Sequence, residues 1–136
     1  MQLSKLILWS DDDPARAVLA YQRMRPLDQE RTIWCRNVQE TISTLYDYRE
    51  QLDIVSFGHD FEGLKFMNSK SDKSGMEIIR WLENLFVKEP GEFKLYENTK
   101  FIIHSWNVTQ SLRMIDRMNK LKLNVKYTPF GSGNVL

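Results

Sequence analysis

At 136 residues the chain falls in the size range of one domain, and folding can bury about two-thirds of its unfolded surface without staples. Its make-up, 42% apolar and 27% charged with six Gly and four Pro, excludes a disordered, collagen-like or low-complexity protein. Nineteen basic against eighteen acidic side chains leave a net charge of +1, which argues against a strongly basic nucleic-acid binder and against an acidic mimic of nucleic acid. Cys35 stands alone, so no intrachain disulfide and no CxxC motif exists. The apolar stretch Leu6–Trp9 is too short for a signal peptide or a membrane span, and the expected compartment is the cytoplasm.

In chain order, Leu6–Trp9 reads as a first strand running into Ser10-Asp11-Asp12-Asp13-Pro14. Asp13 followed by Pro14 is a good helix start, since Asp caps and Pro tolerates the first helical position. The helix is expected over about 14–24, closed by Pro26. Thr32–Cys35 is a second strand. Asn37 and Glu40 resemble a capping box and open a helix to about Tyr48, with Ile42, Leu45 and Tyr46 on one face. Ile54–Phe57 forms a third strand, ending in Gly58-His59-Asp60. The irregular segment that follows, to Lys73, is long for a connection and suggests a functional loop.

Ser74-x-x-Glu77 reads as a second capping box, ahead of a helix carrying Ile78, Ile79, Leu82 and Leu85. A polar stretch from Lys88 to Lys100 leads to a fourth strand, Phe101–Ile103. Asn107 and Gln110 frame another helix, with Leu112, Ile115 and Leu121 as expected core contacts. Asn124–Tyr127 is a last strand, and 129–136 reads as a tail. Strands that are apolar on successive residues and alternate with helices argue for a parallel sheet covered on both faces. The expected fold is a flavodoxin- or receiver-like three-layer α/β sandwich spanning 1–136, strand order 2-1-3-4-5, with the last helix short or absent.

In such a sheet the ligand site lies beyond the carboxyl ends of the strands. There the sequence places Asp11 and Asp12 after strand one, His59 and Asp60 after strand three, and His104-Ser105-Trp106-Asn107 after strand four. Both histidines of the chain fall at the ends of neighbouring strands. Two acids side by side repel unless a divalent cation such as Mg²⁺ or a basic side chain lies between them. Ser105 and Asn107 also fit as the turn and N-cap of the helix whose first amides could cradle a phosphate. Trp106 is expected in the core, or as a platform on which a base stacks. HExxH, GxxxxGK[ST] and GxGxxG are all missing.

Four blocks, Leu8 to Pro14, Val55 to Asp60, Ser74 to Glu77 and Ile102 to Asn107, together resemble the cyclic-phosphate processing receiver-like domains. The resemblance implies a receiver fold with histidines at the strand ends and processing of a cyclic phosphate. It assigns Asp11 and Asp12 to the acidic pair, His59 and Asp60 to the His-Asp after strand three, and His104, Ser105 and Asn107 to the His-Ser-x-Asn after strand four. Arg16 corresponds to an arginine that follows the acidic pair. Gly58 stands where the family commonly carries an acid. Thr128-Pro129 replaces the Lys-Pro of ordinary receivers, which removes the cation that would stabilise an aspartyl phosphate on Asp60.

The expected activity is a phosphoesterase that opens a cyclic phosphate on a nucleotide or an RNA 3′ end. His59 and His104 would act as acid and base, and Asp60 would orient a histidine or join Asp11 and Asp12 at a metal. Ser105, Asn107, Arg16 and Trp106 would bind substrate, with Lys65, Lys70 and Lys73 on the facing loop. The alternative is a non-catalytic module that binds a cyclic nucleotide or a protein partner.

Overall fold

The computed structural model describes residues 5–61, 67–130 and 135–136. Five parallel strands, β1 (Leu6–Ser10), β2 (Thr32–Cys35), β3 (Leu52–Phe57), β4 (Lys100–Ile103) and β5 (Asn124–Tyr127), form one sheet in the order β2-β1-β3-β4-β5. This is the expected topology. β1 is an interior strand paired on both edges, so Ile7, Leu8, Trp9 and Ser10 are all buried. That explains why the strand is apolar on consecutive residues rather than alternately.

On one face lie α3 (Val38–Asp47), α4 (Met76–Lys88) and α6 (Val108–Lys120), which supply Leu45, Ile78, Ile79, Leu82, Met114 and Met118 to the main core. The other face packs Ala17 and Ala20 of α1 (Pro14–Gln22) with Trp9, Met24 and Val135. Among the described residues no helix follows β5. Phe130 and Leu136 instead pack against this smaller cluster.

Local chemistry shifts several expected boundaries. Pro26 opens a short helix, α2 (Pro26–Glu30), because a missing N–H costs nothing at the first helical position. The stretch after Lys88 is not merely polar: α5 (Pro90–Phe93) and a 3₁₀ turn (Lys94–Tyr96) bury Phe93 and Tyr96 one turn apart. The capping box expected at Ser74 and Glu77 does not form. Ser74 Oγ donates to Ser71 O at 2.9 Å and Glu77 takes Arg80, leaving Gly75 as the cap without a side-chain bond. In α6 the buried stripe is Ser111, Met114 and Met118, three and four residues apart, so Leu112 faces solvent rather than the core. Tyr46 is likewise exposed on α3.

Candidate functional site

β1, β3 and β4 end side by side, with Ser10 paired to Phe57 and Phe57 to Ile103. The residues just beyond them therefore meet at one edge of the sheet. Two polar clusters result, one around Asp11 and His104 and one around His59 and Asp60.

In the first cluster Asp11 is buried and fully engaged. Its Oδ1 accepts from Arg16 Nη2 at 2.8 Å and from Asp13 N at 3.0 Å, while its Oδ2 accepts from Arg16 Nε at 2.9 Å and lies 3.4 Å from His104 Nε2. Burial by itself would raise the Asp11 carboxyl, but the hydrogen bonds from His104 and Arg16 outweigh it and hold the group well below the usual carboxylate range. Arg16 also reaches Asp12 at 3.4 Å and Asp13 at 3.5 Å. Sequence alone left open whether a cation or a basic side chain separates these acids. The guanidinium of Arg16 lies against both carboxylates. Among the described residues no group of three or more His, Cys, Asp or Glu is disposed to hold a metal.

His104 is 6% exposed and lies flat against Trp9, with ring centroids 4.3 Å apart and planes 3° from parallel. Its Nδ1 is 2.8 Å from Ser56 Oγ. A neutral ring with its proton on Nε2 can accept from Ser56 while facing Asp11. Ser56 is a functional neighbour that the sequence reading passed over. Its signal was a hydroxyl inside the apolar run Ile54-Val55-Ser56-Phe57.

The second cluster starts at the turn after β3. His59 is fully buried, and its Nδ1 lies 2.7 Å from Asp60 Oδ1. Asp60, with a side chain 19% exposed, also accepts from Met67 N at 2.8 Å and from Asn107 Nδ2 at 3.4 and 3.5 Å. The other ring nitrogen of His59 is 2.8 Å from Ser69 Oγ, which is 2.6 Å from Gln110 Oε1. Sequence reasoning missed Ser69 and gave Gln110 only a capping role. The one available signal was the length of the segment after Asp60.

Asn107 caps α6 as expected, accepting from Gln110 N, and Ser105 Oγ accepts from Asn107 N at 3.0 Å. The expectation that Trp106 is a core residue is corrected: it is 71% exposed, anchored by its Nε1 donating to Phe130 O at 2.7 Å. Lys70 and Lys73 are exposed, and Lys65 lies outside the described residues.

The model of the cyclic-phosphate processing receiver domain matches residues 6–120, which span all of the strand-end residues named above. The chain belongs to that family. A search of curated proteins finds no match. Among solved structures, a response regulator receiver protein from Pseudomonas putida is similar at 16% identity and a TM-score of 0.57, covering 99% of this chain and 94% of that one. That likeness speaks to the fold, and it agrees with the strand order. This receiver-like domain has no helix, among its described residues, long and apolar enough to cross a membrane.

Proposed function

We propose that this domain is a phosphoesterase that opens a cyclic phosphate, with a 2′,3′-cyclic end of RNA or of a nucleotide as the substrate class. The observation that carries the reading is the pairing of an imidazole with a solvent-reaching carboxylate, His59 with Asp60, at the start of a 13-residue helix. Ring opening needs a proton removed from a nucleophile and a proton delivered to the leaving oxygen. His59, polarised by Asp60, serves the first step, and His104, braced by Ser56 and Asp11, the second. Asn107, Ser105 and the first amides of α6 are disposed for the non-bridging oxygens, and the open face of Trp106 suits a stacked base. Arg16 is engaged with the acidic pair, so its contribution to substrate is indirect.

The burial of both imidazoles, each with both nitrogens occupied, favours a second reading in which the domain binds a cyclic nucleotide or a partner protein without making or breaking a bond. One experiment separates the two. Purified protein is incubated with 2′,3′- and 3′,5′-cyclic nucleotides and with an RNA ending in a cyclic phosphate, with Mg²⁺ and with chelator. Conversion is expected with equal rates in both conditions, and a loss of about a hundredfold or more in His59→Ala and in His104→Ala. Turnover retained in both single variants would refute the histidine assignment. Retention of a ligand without conversion would favour the binding module.

A further inference from the structure

Asp60, His59 and Ser69 form a continuous relay. Carboxylate to Nδ1 is 2.7 Å and Nε2 to hydroxyl is 2.8 Å, the same order of groups through which a base activates a serine in hydrolases. The imidazole is fully buried, whereas Ser69 is partly exposed and lines a groove of about 430 Å³ together with Met76, Gln110, Leu112, Arg113, Asp116 and Arg117. His59 can therefore reach a substrate only through the serine.

The serine is also held rigidly. Arg80 of α4 donates to Ser69 O at 2.6 Å and to Ser71 O at 2.9 Å, tying this stretch of backbone to the helix. Gln110 provides a selector for the proton. In the arrangement present, the Ser69 hydroxyl donates to Gln110 Oε1 and Oγ is left to accept from His59 Nε2. With the amide turned, its N–H donates to Oγ and the hydroxyl proton points at His59 Nε2. The second arrangement is the reactive one. Arg117 is paired with Glu83 and Asp116 with Lys120, but Arg113 has no ion-pair partner among the described residues, so the groove wall retains a cation for an anionic ester.

We propose that Ser69 is a nucleophile, activated by His59 and Asp60, and that the groove beside it takes phosphate esters. In the reaction Oγ bonds to phosphorus as the bond to the leaving oxygen breaks. The Oγ proton passes to His59 Nε2, while the leaving oxygen takes its proton from a water in the groove. In the second step the hydroxide left by that water bonds to phosphorus as the bond to Oγ breaks, and His59 returns its proton to Oγ, which releases the phosphate product and restores the serine. The proposal deepens the cyclic-phosphate reading without depending on it.

The test uses a probe that needs no knowledge of the substrate. Phenylmethanesulfonyl fluoride would replace fluoride by Oγ, forming a sulfonyl ester, and Leu112 and Met76 give its ring an apolar wall. Intact-mass and peptide mapping of the treated protein are expected to show one adduct, on Ser69, lost in Ser69→Ala and slowed on the order of a hundredfold in Asp60→Asn. Asp60→Asn is preferred to a change at the buried His59 because it keeps the volume of the turn, and circular dichroism checks that it folds. Absence of an adduct on folded protein, or labelling undiminished in either variant, would overturn the proposal. A labelled Ser69 in a protein that converts no cyclic phosphate would leave the nucleophile standing and remove only the substrate assignment.

Discussion

Arg16 and Asp11 show how a single salt bridge can organise a site. A carboxylate that is almost fully covered and meets a guanidinium through two hydrogen bonds stays ionised because its partner replaces lost water. Arg16 is 39% exposed at its side chain, so it can regain water if the pair is broken, which moderates the cost. Asp11→Asn is therefore expected to cost about 2 kcal/mol at pH 7, below the roughly 3–5 kcal/mol of a wholly buried pair. The pH dependence has a definite sign. A carboxylate whose folded pKa is depressed contributes stability that is fully present above its unfolded value of about 3.9 and fades as pH falls below it toward the folded value. The gap between wild type and Asp11→Asn should thus hold from pH 7 to about 5 and shrink by as much as about 1.4 kcal/mol per pH unit below about 4. Urea melts of both proteins at pH 7 and pH 3 measure it. An equal gap at both pH values would show that the ionised carboxylate is not the source.

At the level of elements, the site depends on how α4 begins. Gly75 N donates to His59 O at 2.8 Å, and a Cβ at Gly75 would lie 1.8 Å from the carbonyl oxygen of Gly58. The helix start and the histidine turn are thus pressed backbone to backbone. No side chain can relieve that overlap by rotating, so Gly75→Ala must push the two segments apart. The expected cost is about 3 kcal/mol, with disturbed positions for His59 and Asp60. Gly91, in α5, meets nothing within 4 Å, and Gly91→Ala is expected to be neutral or to stabilise by up to about 1 kcal/mol. Chemical denaturation of the two variants, side by side, gives the contrast, and equal midpoints would contradict this account. The same junction shows why the sequence misled. Ser74-x-x-Glu77 has the spacing of a capping box, but Arg80, one turn further on, claims Glu77, and Ser71 claims the hydroxyl. Spacing within four residues cannot reveal a competitor outside them. At Asn107 and Asn37 the Asn side chain itself keeps its helix amide, and both caps form as their spacing predicts, although the side chains of Gln110 and Glu40 are taken by Ser69 and by the Arg36 amide.

For the whole molecule, burial on both faces of a parallel sheet forces runs of consecutive apolar residues, and those runs made β1 to β4 legible, while the edge strand β5 alternates polar with apolar residues and has no buried one. Strand ends followed from the strands, so Asp11, His59, Asp60, His104 and Asn107 could be placed together in advance. Ser69 could not, because its approach to His59 depends on a loop path that carries no periodicity, and the exposure of Trp106 depends on where the segment after β5 turns. This division between a regular core and a locally built edge implies that stability and reactivity can be separated. Tyr96 lies deep in the core, its hydroxyl donating to Leu45 O at 2.5 Å, and it packs against Phe101, Phe93 and Trp81. Tyr96→Phe keeps the ring and leaves one buried carbonyl lone pair without its donor, for a cost of about 1–2 kcal/mol. None of these four partners belongs to the strand-end clusters. At 25 °C, where both proteins remain folded, the variant should melt lower yet react with the sulfonyl fluoride at the wild-type rate. A labelling rate that fell in step with stability would mean that the relay is coupled to the whole core rather than built at the sheet's edge.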